Sequence, residues 1–250
     1  MLTKKIVKYI QSLNHKKFRD DEGAFIAEGP KVVAEFLSYQ KTPCRLICAE
    51  KEWLLENEDL LAGIAVENIF ETDQHWLQRI SLLKTPNKVL AIFHKIGFVE
   101  DTFQNKVSLM LDDIQDPGNL GSIIRNCDWF GINNIICSES CVDCYNPKVV
   151  QSTMGSLSRV NIIYTDIVSF IHQHKDIPFY GAALAGKSVF EMNALKEGII
   201  LIGNESKGIH EDVLSLCSSR ITIPRFGHAE SLNAAVASGI ILAQIKRNSY

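Results

Sequence analysis

The sequence predicts an α/β protein of two unequal domains, and three observations carry that prediction. Apolar, strand-like runs alternate with amphipathic helical stretches along the whole chain. A charged, glycine-containing stretch interrupts that rhythm near residue 100, and beyond it the polar residues gather where strands end. The 250 residues are enough for one large or two modest cores, and 46% hydrophobic with 22% charged residues is an ordinary globular balance.

In the first half, MLTKKIVKYIQSLNHKK places Ile6, Val7, Ile10 and Leu13 on one face of a helix with lysines between them. It lacks the unbroken apolar core of a signal peptide, and no apolar run approaches the roughly 20 residues of a membrane span, so a cytoplasmic protein is expected. GAFIAEG (23–29) reads as a strand, and Pro30 opens a helix that faces the core with Val32, Val33, Phe36 and Leu37. RLICA (45–49) is a strand, followed by a Glu- and Leu-rich helix, AVENIFET, and a short helix around Trp76. These βα units predict a mixed or parallel sheet. The segment HKIGFVEDTFQNK (94–106) is the expected boundary, giving a domain over 1–96, a linker over 97–106 and a domain over 107–250.

The second half repeats the α/β rhythm. VSLMLDDI (107–114) is a buried strand ending in acids, DPGNLG (116–121) a turn, and SIIRNCDWFG (122–131) a helix closed by Gly131. NNIIC is a strand, PKVVQSTMGSLS a helix, and VNIIY, FYGAAL (179–184) and GIILIGN (198–204) are strands. A helix around HEDVLSLC, the strand RITIP (220–224) and the final helix LNAAVASGIILAQIKR complete a doubly wound domain, whose ligands belong at the carboxyl ends of its strands.

Charge and cysteines limit the function classes. The net charge of −3 does not advertise nucleic-acid binding, but Lys4, Lys5, Lys8, Lys16, Lys17 and Arg19 precede any acid, a local +6. Such a helix suits phosphate groups, whose neutralisation releases counterions, or simply solvent. Seven cysteines without a secretion signal read as reduced thiols. Cys141 and Cys144 form a C-x-x-C, but Cys44 and Cys48 are no matching second pair, so no metal is expected.

Three polar clusters then stand out. DPGNLGSIIR is neither a dinucleotide fingerprint nor a P-loop, and it offers Asn119, as a helix cap or a ligand contact, and Arg125, as a surface salt bridge or a ligand contact. In LIGNESKGI (201–209) the strand stops at Gly203, where the absent side chain leaves room for a ligand, and Glu205 and Gly208 follow. In IPRFGHAESLN (223–233), Ser231 is a good helix N-cap, while Asn233 falls inside the first turn, where propensity gives it no reason to be.

Together these clusters resemble the three signature motifs of the SPOUT superfamily, in its SpoU (TrmH-like) branch of RNA ribose 2′-O-methyltransferases. The resemblance rests on N-x-G-x-x-x-R (Asn119, Gly121, Arg125), L-I-G-x-E-x-x-G (Leu201 to Gly208) and I-P-x6-S-L-N (Ile223 to Asn233), over residues 108–247. YNPKVVQSTMGSLSRV (145–160) resembles the family's linking segment, and GAFIAEGPKVVAEFL resembles the RNA substrate-binding domain often fused ahead of it. The resemblance implies a C-terminal trefoil knot, a homodimer, an RNA substrate (ribosomal or transfer RNA), and S-adenosylmethionine held by Ala182, Ala183, Gly203, Ile223, Ser231 and Leu232. It implies catalytic or positioning roles for Arg125, Asn119, Glu205, Ser231 and Asn233. Arg225 stands where many relatives have an apolar residue, and His228 and Glu230 receive no fixed role. A catalytically inactive knotted RNA-binding or assembly factor is the alternative.

Overall fold

The computed structural model describes residues 2–39, 42–97 and 102–247. Contacts divide the chain into two compact units: residues 1–97 with 143–159, and residues 98–142 with 160–250. The expected linker spans the division at 97/98, and its residues 98–101 lie outside the described residues. Residues 143–159 fall with the first unit rather than with a contiguous domain over 107–250.

The first unit contains α1 (Lys4–Ser12), α2 (Lys16–Glu22), β1 (Ala24–Glu28), α3 (Pro30–Tyr39), β2 (Cys44–Ala49), α4 (Lys51–Glu56), α5 (Glu58–Leu61), β3 (Ile69–Glu71), α6 (Gln74–Ile80) and β4 (Val89–His94). Its sheet runs β1-β4-β2-β3, antiparallel except for the parallel β2–β3 pair, so the mixed sheet is as expected. Val7, Ile10 and Leu13 pack onto it together with Ile26, Leu46 and Ile92. Arg19 corrects one expectation: it is only 2% exposed and no part of a basic surface. Its guanidinium pairs with Asp143 Oδ2 at 2.6 Å and donates to the carbonyls of Leu13 and Asn14, which fixes the bend between α1 and α2. Tyr145 packs 4.8 Å from the Phe25 ring centroid and hydrogen-bonds the Ile96 backbone. Arg159 pairs with Glu35 at 2.6 Å. These contacts explain why residues 143–159, which include α8 (Pro147–Thr153), belong to this unit.

The second unit contains β5 (Val107–Leu111), α7 (Pro117–Trp129), β6 (Asn134–Cys137), β7 (Asn161–Tyr164), α9 (Ile167–Gln173), β8 (Phe179–Ser188), β9 (Gly198–Ile202), α10 (Glu211–Ser215), β10 (Ser219–Thr222) and α11 (Ala234–Ile245). Its six strands lie in the order β10-β8-β9-β5-β6-β7, every pair parallel, so all carboxyl ends share one edge. Strands covered on both faces explain the unbroken apolar runs of β5 and β9.

Three local expectations change. DPGNLG is no free turn: Asp116 caps α7, accepting from Asn119 N at 2.8 Å, and Pro117 occupies the first helical position. β5 ends at Leu111, three residues early, because Asp113 takes a left-handed φ of 57°. A helix not expected from the sequence, α9, follows β7, and Asp166 starts it by accepting from Ser169 N. No helix among the described residues is long and apolar enough to cross a membrane.

Candidate active site

The three polar clusters converge at the carboxyl edge of the second unit's sheet. Asn119 lies in the first turn of α7, Glu205 in the loop after β9, and Asn233 at the start of α11. The Asn119 amide donates to Glu205 Oε1, and its carbonyl oxygen accepts from Asn233 Nδ2 at 2.8 Å. Asp116 makes this possible: by capping α7 it leaves the Asn119 side chain free to reach outward.

Asn233, expected inside the first turn, is itself the N-cap of α11. Its Oδ1 accepts from Ala235 N at 2.9 Å and Val236 N at 3.2 Å, while its Nδ2 reaches Asn119. One amide thus caps a helix and ties it to another, which a serine hydroxyl at that place does not do. Ser231, expected as the cap, is exposed two residues earlier and makes no hydrogen bond among the described residues. α11 also lies against α7, where Asn126 Nδ2 donates to Ala235 O and Ser238 Oγ, both at 2.9 Å. Gly239 fits this seam, since a Cβ there stands 3.3 Å from Asn126 Nδ2.

The loop after β9 is closed by its own backbone. Asn204 N and Gly208 N each donate to the other residue's carbonyl, at 3.0 and 2.8 Å, and Gly208 takes φ 73°. A Cβ on Gly203 would lie 2.2 Å from both Gly208 C and Ile209 N. The room expected there for a ligand is therefore taken by the chain itself, and this closure fixes where Glu205 projects.

Arg125 is exposed on α7 and makes no hydrogen bond or ion pair among the described residues, so the surface salt bridge is not formed. Ala182 and Ala183 are half-buried where β8 leaves β9: pairing with β9 stops at Gly181↔Leu201, and the partner of β10 jumps from Gly181 to Lys187. Ile223 directly follows β10, and Leu232 is 45% exposed. Gly203 and Ile223 thus follow the ends of β9 and β10, and Ala182 and Ala183 sit where β8 parts from β9, with Leu184 80% and Phe226 93% exposed along the same strand and loop. Arg225 donates to the Ala229 carbonyl at 3.3 Å, while His228 and Glu230 are exposed and join no hydrogen bond of the trio.

A separate cleft of about 280 Å³ lies at the ends of β5, β6 and β7, lined by Asp112, Ser138, Glu139, Asp166, His210 and Asp212 among others. None of the residues expected to hold a cofactor lines it. Beside it Cys141 is buried, and hydrogen bonding by Cys137 lowers its pKa to about 7 against the effect of burial. Cys44 and Cys48 are pushed up to about 12 by burial, and all seven cysteines are free thiols.

The family model described as the SpoU rRNA Methylase family matches residues 106–243, and that of the MRM3-like substrate binding domain matches residues 4–91. The 23S rRNA (guanosine(2553)-2′-O)-methyltransferase RlmP of Bacillus subtilis is 29% identical over 96% of this chain and 95% of its own length. A solved structure from Porphyromonas gingivalis, assigned to the TrmH family of RNA methyltransferases, superposes with a TM-score of 0.87 at 33% identity over 99% of both chains. An AdoMet-bound rRNA methyltransferase from Sinorhizobium meliloti superposes with a TM-score of 0.89 at 28% identity, covering 100% of this chain and 97% of its own.

Proposed function

The chain belongs to the SpoU rRNA methylase family, and on that premise we propose that it methylates a ribose 2′-hydroxyl of a structured ribosomal or transfer RNA, using S-adenosylmethionine. The observation that carries this reading is the hydrogen-bonded chain Glu205–Asn119–Asn233, which joins all three motifs at one sheet edge and leaves Arg125 exposed on the same helix.

S-adenosylmethionine, when bound, supplies an electrophilic methyl group on a sulfonium. The residues present fit such a group: Ala182 and Ala183 are small where β8 parts from β9, Ile223 is apolar just after β10, Leu232 offers exposed apolar surface, and backbone groups near Gly203 and Ser231 would read the adenine edge. Arg125 does not act as the base, because a guanidinium stays protonated below about pH 12. Its unused donors instead hold an RNA phosphate and stabilise negative charge growing on the 2′ oxygen as its proton passes to that phosphate or to water. Asn119, Glu205 and Asn233 hold the starts of α7 and α11 and the loop after β9 in one register, so the nucleophile and the methyl group meet in line.

The proposal extends to assembly. Parallel β8, β9 and β10 with α11 returning onto α7 are compatible with the threaded trefoil knot that the resemblance implies. Trp129 on α7 is 81% exposed and Val236 on α11 is 50% exposed, apolar side chains that burial against a second copy would cover. The first unit, with Lys4, Lys5, Lys8, Lys16 and Lys17 all exposed, supplies the contact with RNA. Mapping 2′-O-methyl sites in total RNA with and without the gene tests the function: one site should disappear with the gene. An unchanged map, with no S-adenosylmethionine binding by calorimetry, would instead favour the non-catalytic assembly factor.

A further inference from the structure

Two aspartates follow β5, outside the three motifs, and both hold the loop that carries Glu205. Asp112 is 2% exposed, and its Oδ2 accepts from the His210 backbone N–H at 2.8 Å and meets ring Nδ1 of His210 at 2.9 Å. Asp113 is 4% exposed, and its backbone carbonyl accepts from Asn204 Nδ2 at 2.9 Å. The adjacency of β5 and β9 makes this possible, because Asp112 N still donates to Ile202 O at 2.9 Å and so stands beside the point where the loop departs. The loop is therefore pinned at both feet, Asn204 and His210, and Glu205 projects between them toward Asn119.

The two feet differ chemically. Asn204 cannot titrate, whereas the His210 side chain is 50% exposed and lines the cleft described above, so its ring exchanges protons with solvent. We propose that His210 is a positioning residue for methyl transfer, and that the charge on its ring sets how firmly the loop presents Glu205 to Asn119. The proposal rests on the methyltransferase reading, but the clamp itself can be measured without a methyl donor.

The carboxylates around His210 all favour the charged ring. Asp112 and Asp113 face it from the end of β5, Glu139 from beyond β6, Asp166 from the start of α9 and Asp212 from α10. The cation Lys207 lies 3.6 Å from Asp113 Oδ2, and Glu211 is turned to Arg220 at 2.8 Å. The hydrogen bond to Asp112 and its charge, opposed by slight desolvation and helped by Asp113 and Asp212, raise the His210 pKa above its ordinary 6.5. A raised folded pKa means the ion pair is complete below about pH 6.5 and is lost as pH rises through the folded value. Above that, the backbone N–H of His210 and at most a neutral ring N–H hold this foot.

His210→Asn tests the clamp, because its amide Nδ2 donates from nearly the same place as ring Nδ1 but carries no charge. Charged hydrogen bonds are about twice as strong as neutral ones, so wild-type kcat/KM should exceed that of the variant about fivefold near pH 6 and converge with it by about pH 9. Amide exchange at residues 204–208, measured without S-adenosylmethionine, should show the same narrowing protection, with His210→Ala less protected than both throughout. Parallel pH profiles for wild type and His210→Asn, or a His210→Ala loop as protected as wild type, would overturn the clamp. A wild type that neither binds S-adenosylmethionine nor methylates RNA would overturn the functional reading alone, since the exchange measurement still judges the clamp.

Discussion

Asn119 makes two bonds that require an amide: its nitrogen donates to a carboxylate and its oxygen accepts from another amide. Asn233 doubles as a helix cap, and the two jobs can be separated. Asn233→Ser should keep the cap, melting within about 1 °C of wild type, yet lose methylation about tenfold because nothing reaches Asn119. Asn233→Ala should lose activity and also about 1 kcal/mol of stability, a fall of roughly 2–4 °C in thermal denaturation. Arg125→Lys, at an exposed position without a partner among the described residues, should leave stability within about 0.5 kcal/mol while turnover falls tenfold or more, because a point charge replaces the planar fork. Near-normal turnover by the lysine enzyme would count against an arginine-specific role. The sequence made these residues visible because polar side chains at strand ends have few packing reasons to be there. It pointed to Ser231 as the cap of α11, where Asn233 is the cap: both are good caps, and only the position of α7 decides between them.

Loops and helix starts are where the sequence was least explicit. The closed turn after β9 depends on Gly203, whose missing side chain admits the chain's own backbone at 2.2 Å rather than a ligand. Gly203→Ala should therefore destabilise by about 2 kcal/mol or more, as a clash with backbone is not relieved by rotating a side chain. Gly227→Ala, with nothing within 4 Å of the added Cβ, should melt like wild type, and parallel thermal scans compare the two. Strand and helix types were legible from periodicity almost throughout the second unit. The exceptions were α9, seven apolar-rich residues too short to show a helical period, and the first turn of α7, whose Pro-Gly pair imitates a free turn. Asp112 and His210 were hidden for another reason: they are 98 residues apart, and only the placement of β9 beside β5 brings them together.

At the scale of the whole chain, the charged, glycine-containing stretch 94–106 suggested a boundary, whereas nothing in it suggested that residues 143–159 would group with residues 1–97. That grouping depends on Arg19, which in the sequence looks like one more lysine-helix cation and in the fold is buried against Asp143. Asp143→Ala should leave the guanidinium without its counter-ion and cost about 3–5 kcal/mol, lowering the first melting transition by about 10 °C. The parallel second unit, the family match and the three joined motifs all bear on one claim, that this edge transfers a methyl group to a ribose oxygen. The most direct measurement incubates the purified protein with S-adenosylmethionine labelled on the methyl group and RNA from cells lacking the gene, then digests the RNA and locates the label. A single labelled 2′-O-methyl nucleotide, abolished by Arg125→Ala and by Asn119→Ala, is the predicted result. Label on a base, or no label while S-adenosylmethionine is bound, would contradict it.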